Sequence, residues 1–158
     1  MQAIRIADFE TEDVMSFGYT EHLLVKSWRR LAVGSPGPLT MREFDESCGA
    51  DAAEVFLTFS IFLKALAVAG RRPLAIGMPD NLSVTASERQ VLTLLAAAQG
   101  ATPTLFKAHL RWLAHSEQRH ILEIAAGALA TALKVNGLHL AIPAVAAPSV
   151  CERKLAIA

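Results

Sequence analysis

Cysteine is almost missing from this sequence. The two present, Cys48 and Cys151, are far apart, so neither a disulfide framework nor a C-x-x-C motif is available. A reducing cytoplasm is the expected setting. An excess of charge of either sign is also missing, because Lys+Arg and Asp+Glu stand at 15 each. A balanced chain sets up no global field to gather polyanions, so neither nucleic acid nor a membrane surface is expected as a partner. No apolar stretch reaches the roughly 20 residues of a membrane span. The longest, VFLTFSIFLKALAVAG, stops at 16 residues and carries Lys64 inside it. The opening MQAIRIADFETEDVM lacks the basic-then-apolar order of a signal peptide. Catalytic signatures are absent too: there is no G-x-S-x-G, no phosphate-binding loop and no G-x-G-x-x-G. No cofactor is implied, and the balance leans away from an enzyme.

What is present is apolar mass. Hydrophobic residues make up 53% of the 158 and charged ones 19%, the composition of a domain with a buried core. The charge is unevenly placed. Residues 1–18 hold Arg5 against Asp8, Glu10, Glu12 and Asp13, a net −3, while residues 55–72 hold Lys64, Arg71 and Arg72, a net +3.

Helix signals run through the middle of the chain. Leu23, Leu24, Ser27, Leu31 and Ala32 recur at helical spacing over 20–33, and Gly34 and SPGP then force a turn. Three capping boxes follow, TMRE from Thr40 to Glu43, DAAE from Asp51 to Glu54 and TASE from Thr85 to Glu88. They predict a short helix to Gly49, a long apolar helix over about 52–69 and a third over 86–99. Residues 71–84, with two prolines and a glycine, read as an ordered connection. Pro103 suits a first helical position and starts a helix to about His115. Ser116 is the expected cap of the last helix, 117–135, closed by Asn136-Gly137. The fold expected is all-α, a single-domain bundle of five or six helices around the central apolar helix 52–69, whose hydrophobicity runs nearly all the way round. Residues 1–18 are expected to be a weakly structured segment, 19–137 the helical domain and 138–158 a tail. Short capped helices with Ala/Leu stripes are a composition common in bacterial proteins.

The densest concentration of chemistry is KAHLRWLAHSEQRHILE, residues 107–123, with three of the five histidines. At about 100° per residue, His109 falls in the apolar arc with Trp112, while His115 and His120 point outward from different helices. EQRH, Glu117 to His120, is an E-x-x-H unit without a second copy, so no metal site is expected. His109 needs a partner for a ring nitrogen, and a core position bonded to a backbone carbonyl is the plain expectation. The sharper one is an inter-helix pocket made by His109, Trp112, Arg71 and Arg72. Cys48 sits at a helix end, where the dipole raises a thiol pKa. The helix after Gly49 offers Phe and Leu where a DNA-reading helix needs polar side chains. Trp28, Arg29 and Arg30 form a candidate partner contact, because Trp and Arg anchor interfaces.

Two functions follow. The favoured one is a non-enzymatic helical protein acting through protein–protein contact or self-association, as a homodimer. The alternative is a small-molecule binder or enzyme using the pocket beside His109 and Trp112.

Overall fold

The computed structural model of the chain describes residues 17–34 and 37–141. Residues 1–16, the acidic part of the N-terminal segment, and 142–158, with Cys151, lie outside the described residues. Six α-helices form in order: α1 (Tyr19–Ala32), α2 (Gly37–Cys48), α3 (Ala52–Ala69), α4 (Ala86–Gln99), α5 (Pro103–Leu113) and α6 (Arg119–Val135). A 3-10 turn, Gly49–Asp51, joins α2 to α3. The protein is all-α, with an antiparallel bridge between Gly70 and Ala114.

The capping boxes meet different fates. At α4 the box is complete: the Glu88 amide donates to Thr85 Oγ1 at 3.1 Å and the Thr85 amide to Glu88 Oε2 at 2.9 Å. The expected box at Thr40 does not form, because α2 starts earlier, at Gly37. Arg30 takes both of its residues instead, donating to Glu43 Oε2 at 2.6 Å and to Thr40 Oγ1 at 3.4 Å. A tertiary ion pair has won over a local cap. Asp51 makes no side-chain cap either, being held at φ −90°, ψ 0° in the 3-10 turn rather than in extended geometry. Ser116 is not the cap of α6, which begins at Arg119 with Gln118 before it and no side-chain cap. α5 stops at Leu113, two residues short of His115. There Ala114 turns extended, the Arg71 amide donates to Leu113 O and the His115 amide to Ala69 O, both at 2.9 Å. His115 therefore does not sit on a helix end.

One hydrophobic core draws on every helix. α3 contributes Val55, Phe59, Phe62 and Leu66 from one face and packs most closely against α6 and α2. α4 is the most enclosed: every residue from Val91 to Ala97 is buried. So α3 forms a wall of the core and α4 its middle. α3 and α6 run antiparallel, since residues 51–58 face 128–136 across one cleft while the end of α3 meets the turn that precedes α6.

Candidate functional site

The corner proposed from sequence is built where the end of α3 meets α5. Arg71 donates to Arg111 O at 3.1 Å, and the Arg72 guanidinium lies 5.3 Å from the centre of the Trp112 ring, a cation–π pair. Trp112 is 39% exposed, not inside a helix cleft. His109, one turn before it, is half-buried rather than in the core. Its Nδ1 meets the Gln90 side-chain oxygen at 2.8 Å, so the partner is an amide side chain and not the backbone carbonyl expected. An amide oxygen only accepts, so Nδ1 carries the proton. Burial lowers the His109 pKa, which keeps the ring neutral at pH 7. Arg71, Arg72 and Trp112 thus meet where the chain leaves α3, while His109 is held by Gln90 of α4. Four clefts, of about 400, 380, 320 and 190 Å3, lie elsewhere and are lined by other residues.

The trio Trp28, Arg29 and Arg30 points inward. Arg29 is 1% exposed and Trp28 8%, and Arg30 is tied to Glu43. Arg29 holds a buried carboxylate by two parallel bonds, Nε to Glu88 Oε1 at 2.7 Å and Nη2 to Glu88 Oε2 at 2.8 Å. Its remaining donors take backbone carbonyls from the 71–84 connection: Met78 at 3.3 Å, Ser83 at 2.7 Å and Asn81. Glu88 in turn accepts the Gly77 amide at 2.9 Å. Burial pushes the Glu88 carboxyl up, but the Arg29 guanidinium and the Thr85 and Gly77 amides outweigh it and hold it below the usual carboxylate range. The least helical part of the chain is therefore organised by one guanidinium. At Cys48 burial, then Asp51, pushes the thiol up, away from the reactive thiolate. Among the described residues no three of His, Cys, Asp and Glu come together as metal ligands.

The most conspicuous surface is apolar. Among the described residues twelve large hydrophobic side chains are exposed, and six of them belong to α3 and α6: Leu57, Ile61 and Val68, then Ile121, Ile124 and Val135. The polar groups between them are quiet. Thr58 donates to Glu54 O at 2.8 Å, Ser60 to Phe56 O at 2.9 Å and Thr131 to Gly127 O at 2.9 Å, each spending its hydroxyl on its own helix. Lys64 is the only cation on α3, and its long stem leaves apolar area uncovered when the ammonium turns to water. On the flanks lie two apolar grooves, one with Trp28, Leu31, Leu63 and Ala67, the other with Phe106, Glu123 and Gly127. Sequence reading found the α3 half of this face through its hydrophobicity. It does not single out the α6 half, where Ile124 is 70% exposed and Val135 75%.

No protein-family model, curated protein or solved structure matches the chain.

Proposed function

We propose that this is a non-enzymatic helical protein that acts by self-association, pairing the outer faces of α3 and α6 with those of a second copy. The observation that carries this is the placement of six exposed large apolar side chains on two adjacent antiparallel helices. Soluble monomers rarely expose so extended an apolar patch, and two-fold pairing is the commonest way of covering one. The size is appropriate. Helices of 18 and 17 residues are about 26 Å long at 1.5 Å per residue, and side by side they present a face about 20 Å wide. That is a plan area of about 500 Å2, corrugated by side chains, close to the roughly 800 Å2 of accessible surface that each partner gives to a standard interface.

The same α2–α3 run favours a second reading, membrane association: residues Gly37–Ala69 contain an 18-residue window of mean hydropathy 1.8. Against it, α3 lends Phe59, Phe62 and Leu66 to the core, and leaving the domain would strip them out.

Sedimentation across a micromolar dilution series tests the proposal. The wild-type chain is expected at twice 17.0 kDa, and Ile61→Glu with Ile124→Glu at 17.0 kDa with unchanged helicity, because both side chains are already outside. A wild-type mass of 17.0 kDa throughout overturns self-association. Flotation of that monomer with lipid vesicles puts membrane association in its place.

A further inference from the structure

The outer face of α3 and α6 carries enough detail to fix how two copies meet. Gly127 is the midpoint of α6, and Ile61 lies at the midpoint of α3. The cleft between the helices sets residues 51–58 beside 128–136. Counting on along both helices brings Ile61 level with Gly127 to within about a residue. A Cβ placed on Gly127 meets nothing within 4 Å, so that point of α6 is bare within its own chain. Beside it runs the groove of about 400 Å3 between Phe106, Glu123 and Gly127, and one turn away stands Ile124, 70% exposed.

Charge decides the direction. On α6, Glu123 lies before Gly127 and Lys134 after it, near the same edge of the helix at about 100° per residue. If two copies faced each other in parallel, Glu123 would meet Glu123 and Lys134 would meet Lys134. If they face each other antiparallel about Gly127, Lys134 of the second copy falls level with His120, one turn from Glu117 and from Glu123. On α3 the same operation sets Lys64 of the second copy level with Thr58, one turn from Glu54. Each lysine then stands within about a turn of a glutamate, where the parallel pairing sets like charge on like.

We propose, on the footing of the self-association already argued, that the occupant of this face is a second copy held antiparallel. The two-fold axis runs across the helices through Gly127 and Ile61, α6 lies on α6 and α3 on α3. Gly127 lets the two α6 backbones approach, and Ile61 meets Ile61. Glu123 with Lys134 of the second copy forms the rim.

Single cysteines read this register in the full-length chain with Cys48→Ala and Cys151→Ala. Gly127→Cys and Ile61→Cys are each expected to form covalent dimers with a short thiol cross-linker. Val135→Cys is not, because its two copies stand about 24 Å apart, eight residues from the axis on either side. A charge swap gives the second reading. Lys134→Glu alone and Glu123→Lys alone are expected to weaken the dimer about tenfold, and the two together to restore it, in keeping with close charge pairs that set register. Cross-linking at Val135, or failure at both Gly127 and Ile61 while the mass stays dimeric, overturns the register and leaves self-association standing. A mass of 17.0 kDa throughout overturns both.

Discussion

Arg29 and Glu88 are the residues on which the local structure turns. Each is at most 1% exposed, and between them they satisfy donors and acceptors from α1, α4 and the 71–84 connection. A buried pair of this kind contributes little net stability against an apolar replacement, yet removal of one partner costs about 3–5 kcal/mol. Gly77 is the residue that makes room for it. A Cβ there would stand 2.5 Å from Arg29 Nη2 and 2.6 Å from Cζ, against a guanidinium that cannot yield without dropping its bonds. Gly77→Ala is therefore expected to lower stability by about 2–4 kcal/mol, at the level of a broken buried network. Urea denaturation checks it, and an unchanged midpoint would mean that the connection is free to move off Arg29. Half of this arrangement is legible in the sequence. TASE announces Glu88 as a capping residue. Nothing announces that Arg29, 59 residues earlier, is its partner, because a buried ion pair uses the residue types of a solvated surface. The same limit made Arg29 and Trp28 look like a contact patch.

The elements themselves were readable from periodicity, and their interiors stand where the apolar spacing put them. Their ends were less so, because each end was decided by something distant: Arg30 at the start of α2, the Gly70–Ala114 bridge at the end of α5. Two helix ends make an instructive pair. After α6 the chain turns with Gly137 at φ 73°, and the Leu138 amide returns to Leu133 O at 2.9 Å. After α4 the same return is made by the Thr102 amide to Ala97 O at 3.0 Å, but the left-handed position is Ala101, at φ 53°. Glycine stands one place too early, at Gly100, and a methyl group is forced into a conformation that favours its absence. Ala101→Gly is expected to raise stability by about 0.5–1 kcal/mol, the glycine's greater freedom when unfolded offsetting part of the strain relieved. Thermal unfolding gives the answer, and a lowered Tm would place the value of Ala101 in its contact with the groove by Phe106 rather than in the turn. The outer face of α6 escaped sequence reading for a related reason: isoleucine and alanine look the same whether they face a core or a second surface, and only the positions of neighbouring helices separate the two.

Over the whole molecule, three of the described groups make stability depend on pH below neutrality, all in one direction. His22 is lowered by burial and then by Lys26, and His109 by burial. Each favours the fold fully above its unfolded value of about 6.5 and loses that contribution as pH falls through its lower folded value. Glu88, held below its unfolded value of about 4.3, does the same one step lower, when protonation breaks its bonds to Arg29. The denaturation midpoint is expected to be level just above about pH 7, to fall from about 6.5 and to fall again below about 4.3. His109→Gln should soften the first step and Glu88→Gln remove the second. A midpoint that rises between pH 7 and pH 5 would contradict the sign for the histidines.

One contact joins parts of the chain that are almost as distant as they can be. Gln99 donates to the Leu138 carbonyl at 2.8 Å and accepts the Leu140 amide on its side-chain oxygen at 2.7 Å, and the Ala141 amide donates to Glu21 at 2.8 Å. This last bond spans 120 residues. Closing a loop of that length in an unfolded chain carries an entropic penalty of about 4 kcal/mol, more than one hydrogen bond returns. It becomes favourable only after the helices between have docked and shortened the loop. The clasp is thus the closing event of folding and the opening event of unfolding, so the amides of Leu140 and Ala141 should surrender their protons to solvent deuterium while those of α4 still keep theirs.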